Sequence, residues 1–241
     1  KKQAEQHLRE IECQITKGEY QAPSQTTVGL FLDEWLTHAR STIAESTFAN
    51  YELLVRVHIK PALGKAKLSQ LTPLDIQRFY NRLTEPGSNR VCRSKGLGAK
   101  AIKNIHGILH KALAQAVRWG ILARNPAGAV DTPRMTRARV NAAAPEEIQL
   151  LLTVVEEAGE WRLPLLITLG TGMRRGEVLA LQWRDYNPET KTIVVQRALS
   201  QISTDNVVVK GTKTDQTRVV LLNDSLAEEL DRYREQTPHN A

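Results

Sequence analysis

The sequence has few cysteines and no long apolar run, and these two deficits exclude several classes of protein. Its 241 residues include two cysteines, Cys13 and Cys92, which are too few for a disulfide framework and lack the spacing of a metal site. No apolar run reaches the roughly eighteen residues of a membrane span, and the first residues contain no hydrophobic segment typical of a secretory signal. We therefore expect a protein of the reducing cytoplasm that does not contact membranes.

Acidic residues are scarce in the first part of the chain, and the charge is therefore uneven. Residues 1–140 hold 22 Lys and Arg against 11 Asp and Glu, whereas residues 141–241 hold 11 against 15. Residues 54–140 alone carry 17 basic side chains against 3 acidic ones. A region this basic is typical of a protein that binds a polyanion, and double-stranded DNA is the partner we expect. A basic surface that serves only solubility is the alternative.

Four amphipathic segments predict a helical bundle in the basic part. Apolar residues recur at helical spacing from Val28 and again from Phe48. A third helix is predicted from Thr72, because Thr72-Pro73-Leu74-Asp75 combines an N-cap, a first-turn proline and an acidic residue at the third position. The fourth and longest is predicted from about Ala99 to Trp119.

Basic residues around the start of the fourth helix are candidates for DNA contact. Those in the preceding loop and on the first turns are Arg93, Lys95, Lys100 and Lys103, with Asn104 beside them. We expect phosphate contacts here rather than base readout, although Asn104 could reach a base edge if the helix enters the major groove. Three further candidates, Arg134, Arg137 and Arg139, fall in or beside residues 133–144, an aperiodic stretch interpreted as a basic interdomain linker.

Two histidines, His106 and His110, stand four residues apart and could share one helix face. Gly107 occupies the position at which a zinc-protease helix has its glutamate, and no third ligand is evident. We therefore predict no metal site and no cofactor.

Two stretches of the second part carry candidate chemistry. In Leu165–Trp183 an apolar run reaches Thr171-Gly172, and a new helix is predicted to begin there with Arg174 and Arg175 in its first turn. The helix dipole disfavours cations at that end, so these arginines predict an anion such as phosphate. Glu177 lies three residues after Arg174 and could orient its guanidinium.

The second stretch is predicted to be a β-hairpin. Val207–Val209 and Arg218–Leu222 would form its strands, with a turn at Gly211-Thr212 and Lys213 at the tip. A lysine held there could act as a point charge or as a proton donor. Together with Ile193–Val195 and the flanking helices, this pattern predicts a mostly helical α+β domain with a small antiparallel sheet.

The sequence TGMRRGEVLAL followed by KTDQTRVVLL resembles the tyrosine recombinase family, also called phage integrases. The resemblance implies that Arg174 and Lys213 contact the scissile phosphate and that Glu177 supports the site. Upstream residues, including Pro61-Ala62-Leu63-Gly64 and Asn125-Pro126, are similar to the family's SAM-like, helical core-binding domain.

By the same analogy Thr47, Asn50 and Tyr51 are weaker DNA-binding candidates, and the alternative for Tyr51 is that it only packs. The implied order is a linker helix at 1–23, a core-binding domain at 24–132, the basic linker, and the first part of a catalytic domain at 145–241.

The family implies an integrase of a phage or other mobile element. Such an enzyme self-associates on DNA and cuts and rejoins it through a phosphotyrosyl intermediate, without metal or nucleotide. The chain departs from the family pattern because no H-x-x-R box follows Lys213. Tyr233 is the sole later tyrosine, and its spacing from Leu226 and Leu230 favours packing over nucleophilic attack. We therefore expect a fragment, cut at both ends and inactive alone. A non-catalytic DNA-binding module or a recombinase remnant is the alternative.

Overall fold

Two compact units make up the chain. The computed structural model describes residues 25–89, 94–135, 142–203, 206–211 and 216–236. The units comprise residues 1–138 and 139–241. Helices dominate both, and two small antiparallel sheets lie in the second unit. The predicted fold class, mainly helical with a small antiparallel component after an N-terminal bundle, is confirmed.

The first unit is built from helices. They are α1 Val28–Arg40, α2 Glu45–Leu54, α3 Lys60–Leu63, α4 Pro73–Thr84 and α5 Ala99–Arg118. A π-helical turn at Val55–Ile59 joins α2 to α3 without a break. Helix α4 begins as predicted, since the backbone N–H of Asp75 donates to Thr72 Oγ1 at 3.2 Å and that of Thr72 donates to Asp75 Oδ2 at 3.1 Å.

The core of the first unit lies between α1, α4 and α5. Its largest fully buried side chains include Phe31, Phe79, Tyr80, Leu109 and Leu113. Burying such side chains is the main stabilising term of a bundle of this size. Because each helix turns its apolar stripe inward, the lysines and arginines of α5 are left on the outer surface.

The second unit combines helices with short strands. Its helices are α6 Pro145–Glu156, α7 Arg162–Thr171, α8 Arg175–Val178 and α9 Asp224–Gln236. Its strands are β1 Tyr186–Asn187, β2 Thr192–Val195, β3 Arg197–Ser203, β4 Asn206–Gly211 and β5 Arg218–Leu221. A separate apolar core includes Ile167, Met173, Ile193, Leu222 and Leu226.

Strand pairing differs from the predicted hairpin. Strand β4 pairs with β3, and β5 pairs with β2, so the expected pairing of Val207–Val209 with Arg218–Leu222 is wrong. Gln196 alone separates β2 from β3, whereas residues 212–217 separate β4 from β5. Gly211 lies opposite Arg197, and Arg218 lies opposite Val195. Because Arg197 and Val195 are two residues apart, Gly211 and Arg218 lie close together, and these are the residues that flank the connection containing Lys213.

The helix predicted after Gly172 is a single turn. Gly172 has φ 65°, a left-handed conformation that ends α7, and α8 covers Arg175–Val178 only. The chain then turns, which leaves Leu179 41% exposed. A Cβ on Gly176 would lie 2.5 Å from the backbone oxygen of Leu199, so the absence of a side chain allows β3 to pack directly on α8.

Candidate phosphate site and DNA-binding surface

Arg174 projects from a rigid turn between two helices. Met173 before it is buried, and its backbone N–H donates to Thr171 Oγ1 at 3.2 Å. Arg174 itself is the N-cap residue of α8 in extended conformation, and its side chain is 69% exposed. The backbone at this point is therefore fixed while the guanidinium remains open to a ligand.

Glu177 is the centre of the site. Its side chain is 2% exposed and accepts four hydrogen bonds from two arginines. Arg174 donates its backbone N–H at 2.9 Å and Nη1 at 3.0 Å. Arg218 donates Nη1 at 3.1 Å and Nη2 at 2.6 Å, one to each carboxylate oxygen. The predicted contact between Glu177 and the Arg174 guanidinium is present.

The charge of Glu177 is held by these contacts. The Arg218 guanidinium, followed by the backbone and side chain of Arg174, lowers the pKa of Glu177 to about 2 against the opposing effect of burial. A buried carboxylate that stays ionised at neutral pH orients both arginines permanently. The exposed guanidinium of Arg174 is therefore oriented by its hydrogen bond to the buried Glu177 carboxylate.

Arg218 is the member of the site that sequence reasoning missed. It was assigned only to a strand, and it is the first residue of β5. The signal available was weak, since one arginine ahead of Val219-Val220-Leu221 resembles any solvated strand end. Its partner lies 41 positions away, which helix or strand periodicity cannot indicate.

The argument from the helix dipole is also corrected. A single turn such as α8 sums few peptide dipoles, so its dipole adds little at Arg174. Paired contacts with Glu177 and Arg218 organise the site instead. Arg175 is exposed on the same turn, and no contact described here assigns it a role.

Lys213 lies outside the described residues, so its role stays a prediction. The ends of its connection are informative, because Gly211 closes β4 and Arg218 opens β5. Arg218 is the same residue that grips Glu177. The connection therefore rejoins the sheet directly beside the Arg174 and Glu177 pair.

In the first unit, exposed polar residues cluster at the start of α5. Lys100, Lys103 and Asn104 are all exposed and follow the three- and four-residue spacing of one helix face. Lys95 is exposed just ahead of them. Gly96 lies against α4, since a Cβ there would come within 1.9 Å of the backbone oxygen of Thr84. The segment that carries Lys95 is thus anchored to the bundle.

The candidates on α2 separate into two kinds. Thr47 and Asn50 are exposed and share one face. Tyr51 is buried, stacks on Trp35 with ring centroids 5.7 Å apart, and accepts a hydrogen bond from Lys111 Nζ at 2.7 Å. Its position supports the packing alternative, because the ring and the hydroxyl group are both engaged inside the protein.

Of the remaining candidates, only Arg134 lies within the described residues. Arg134 is exposed at the end of a described range. Arg93, Arg137 and Arg139 lie outside the described residues. The other DNA-binding assignments stay predictions as well, since no nucleic acid is present to test them.

The two histidines serve the bundle. Tyr80 Oη and His106 Nδ1 are 3.0 Å apart, and burial, with His110 and Lys103 nearby, lowers the pKa of His106. Within the described ranges no group of three or more His, Cys, Asp and Glu side chains could hold a metal ion. Nor is any helix there long and apolar enough to cross a membrane.

Sequence comparison places these features in a known group of proteins. A family described as phage integrase, N-terminal SAM-like domain, matches residues 27–84. A tyrosine recombinase XerC-like protein of Caldanaerobacter subterraneus subsp. tengcongensis is 29% identical over 211 residues, which cover 84% of this chain and 51% of that protein. That alignment extends over most of both units. Over this range the chain is similar to tyrosine recombinases.

Solved structures of integrases show the same fold as this chain. The Tn1549 transposon integrase in complex with a circular intermediate DNA matches with a TM-score of 0.72 at 19% identity, over 89% of this chain and 67% of that one. A lambda integrase dimer bound to a core site matches with a TM-score of 0.62 at 21% identity, over 87% and 70%. The chain spans about half the length of the curated relative it matches.

Proposed function

We propose that this chain is the DNA-binding and phosphate-binding part of a site-specific recombinase of a phage or other mobile element. The observation that carries the proposal is the site at Arg174, where a buried carboxylate fixes an exposed guanidinium. Surface arginines are ordinarily free to swing, and holding one in place has a chemical use when it must meet a phosphate in one geometry.

The proposed reaction transfers a DNA phosphoryl group to a tyrosine. The tyrosine hydroxyl loses its proton to solvent as its oxygen bonds to phosphorus, the bond from phosphorus to the 5′-oxygen breaks, and that oxygen takes a proton as it leaves. Negative charge grows on the non-bridging oxygens, which the Arg174 guanidinium can match with two parallel hydrogen bonds. Lys213 supplies the proton to the leaving 5′-oxygen in this scheme. Rejoining is the reverse, with a 5′-hydroxyl attacking the phosphotyrosyl bond.

The first unit supplies most of the DNA affinity in this proposal. Its basic side chains stand on the outer surface of a rigid bundle, as phosphate-contacting groups must. The related Tn1549 and lambda integrases were solved in complex with DNA, and one lambda structure is a dimer. We infer that this chain also binds duplex DNA and associates with further copies on it, in the cytoplasm where the DNA is.

We infer that none of the tyrosines in the described residues is the nucleophile. Tyr51 and Tyr80 are buried in the first unit, and burial raises the pKa of Tyr80. Burial, aided by Asp231, raises the pKa of Tyr186 to about 12, which disfavours the phenolate. Tyr233 lies with its ring 6.2 Å from that of Trp183. We therefore infer that the 241-residue chain binds DNA without forming a covalent bond to it, and that cleavage belongs to a longer protein.

Salt dependence tests the binding part. Fluorescence anisotropy with a labelled duplex is expected to show affinity falling about a hundredfold between 50 and 200 mM salt if about four phosphates are contacted. Lys100→Gln combined with Lys103→Gln is expected to reduce the log–log slope by about two. Lys191→Gln is the matched control, because that lysine is paired with Asp224 in the second unit. A salt-independent affinity would remove the proposal.

A suicide DNA substrate tests the chemistry. The longer protein is expected to become trapped on it as a phosphotyrosyl complex, whereas the 241-residue chain is not. Peptide mapping identifies the linked residue. A trapped complex at Tyr233 would overturn the assignment of the nucleophile, and a longer protein that binds the site but is never trapped would favour a DNA-binding module without catalysis.

A further inference from the structure

Glu177 poses an electrostatic problem for the site it supports. Taken alone, Arg174 and Glu177 carry no net charge, and the carboxylate lies within hydrogen-bond distance of the guanidinium that is meant to meet a phosphate. A carboxylate so close repels a second anion at short range, where screening by salt is least effective. Some other charge has to offset it if Arg174 is to bind phosphate.

Arg218 provides that charge. Its fork bonds both oxygens of Glu177, at 3.1 Å and 2.6 Å, so the three side chains together carry one positive charge. Each carboxylate oxygen of Glu177 then accepts two hydrogen bonds, one from Arg174 and one from Arg218. The side chain of Glu177 is also 2% exposed, so its carboxylate is shielded from solvent and its charge is offset by the two arginines.

Arg218 is also placed to connect two parts of the site. It opens β5 opposite Val195, immediately after residues 212–217, the connection that contains Lys213. Its side chain ends on Glu177, which in turn holds both the backbone and the side chain of Arg174. One carboxylate therefore ties the end of that connection to the turn that carries Arg174.

We propose that Arg218 is a positioning residue that acts through Glu177, keeping the site net positive and fixing the end of the 212–217 connection against Arg174. The inference rests on the proposed function, since it assigns Arg218 a part in the same phosphate site. The inference does not require Arg218 to contact the reacting phosphate.

The test uses inorganic phosphate as the probe and the 241-residue chain. Titration is followed by the side-chain Nε–Hε signal of Arg174 in ¹⁵N NMR spectra. Arg218→Gln is expected to weaken the response of that signal to phosphate about fivefold to tenfold, because Glu177 then neutralises Arg174. Adding Glu177→Gln to Arg218→Gln is expected to restore most of the response, because the net charge returns to one and a glutamine oxygen can still accept from Arg174.

The effect of adding Glu177→Gln to Arg218→Gln separates the proposal from a purely structural role of Arg218. If Arg218 only anchors β5, the double variant would be no better than Arg218→Gln, and that result would overturn the inference. Arg218→Lys covers the case in which the glutamine variant fails to fold. It keeps the charge but loses the bidentate grip, so phosphate affinity is expected to stay within about twofold while the Arg174 signal broadens. An Arg218→Lys response as weak as that expected for Arg218→Gln would also overturn the inference.

Arg232→Gln is the matched control. Arg232 and Arg162 share Glu229 much as Arg218 and Arg174 share Glu177, so the variant likewise removes one of two arginines from a carboxylate. It is expected to leave the Arg174 signal unchanged. Failure of the inference is distinguishable from failure of the proposed function. If Arg174→Ala abolishes cleavage by the longer protein but Arg218→Gln leaves the phosphate response of the Arg174 signal unchanged, the inference alone is rejected. If the Arg174→Ala protein cleaves normally, the proposed function is rejected.

Discussion

The two units carry positive charge in different ways. In the first, lysines such as Lys100 and Lys103 stand exposed on a helix whose first turn contains no acidic residue. In the second, arginines are gripped by buried or half-buried carboxylates, with Glu177 joining Arg174 to Arg218 and Glu229 joining Arg162 to Arg232. Loose lysines suit a partner that slides and is held by charge alone. Arginines that a carboxylate holds in one orientation, called braced arginines below, suit the binding of one phosphate in one geometry.

Under the proposed function, this difference separates DNA affinity from chemistry within a single chain. A flexible cation adds to binding wherever a phosphate lies within reach, and losing one costs little. A fixed cation adds to a reaction only if its direction is correct, so the groups behind it matter as much as the cation itself. The four predictions below test that division, from the largest expected effect to the smallest.

The sharpest test removes the braced arginine. In the longer protein, Arg174→Ala is expected to lower the single-turnover cleavage rate about a hundredfold to a thousandfold, as loss of a transition-state donor does, with DNA affinity within about threefold of the wild type. Rates are measured with a suicide substrate and affinity by anisotropy. A parallel loss of affinity and rate would place Arg174 in the same class as the lysines of the first unit.

The same prediction extends to Lys213 and uses the same assay. Lys213→Ala is expected to slow cleavage similarly, and a substrate with a 5′-bridging sulfur is expected to rescue it, because a thiolate leaves without a proton. Arg174→Ala is not rescued in this scheme. Equal rescue of both variants would mean that neither residue has the assigned role.

The second prediction contrasts one glycine from each unit. Gly176→Ala is expected to destabilise the second unit by about 1–3 kcal/mol, because the new methyl group would meet the Leu199 carbonyl oxygen of β3. Gly107→Ala in α5 meets nothing within 4 Å and is expected to stabilise the first unit by up to about 1 kcal/mol through helix propensity. Urea unfolding of each variant measures both. Equal and small effects would show that β3 does not need its close approach to α8.

The third prediction is a pH dependence specific to the second unit. Because the pKa of folded Glu177 is about 2, below its ordinary value of 4.5, its charge stabilises the fold above about pH 4.5, and this stabilisation is lost as the pH falls towards 2. The loss is expected to be about 2 kcal/mol, allowing for the solvent exposure of both arginines. Urea unfolding of the wild type and Glu177→Gln at several pH values measures it. The gap between them is expected to narrow in acid, and a constant gap would contradict the assigned cause.

The smallest effect concerns α2 in the first unit. Tyr51→Phe removes the hydrogen bond from Lys111 and is expected to cost about 1 kcal/mol of stability with DNA affinity unchanged. Asn50→Ala, on the exposed face of the same helix, is expected to leave stability unchanged and to lower affinity severalfold. Thermal melts and anisotropy separate the two. If Tyr51→Phe lowered affinity as much as Asn50→Ala, Tyr51 would belong to the DNA-binding surface after all.

Local patterns were sufficient wherever the information lay within a few residues. The cap at Thr72, the helix from Ala99, the break between helices at Gly172 and the contact from Glu177 to Arg174 each depend on neighbours at most four positions apart. Sequence reasoning failed at longer range. The pairing of β4 was assigned to the wrong strand, and Arg218 was not connected to Glu177, because strand partners are chosen by the whole sheet.

The sequence by itself determined the helical bundle, the basic first unit and the resemblance to tyrosine recombinases, because periodicity, composition and short motifs are all local properties. The tertiary structure alone decided which basic side chains are braced and which are free. Tyr51 became a core residue by stacking on Trp35, and Arg218 became part of the proposed phosphate site by pairing with a buried carboxylate. Both outcomes depend on burial, and burial is settled only when distant segments pack together.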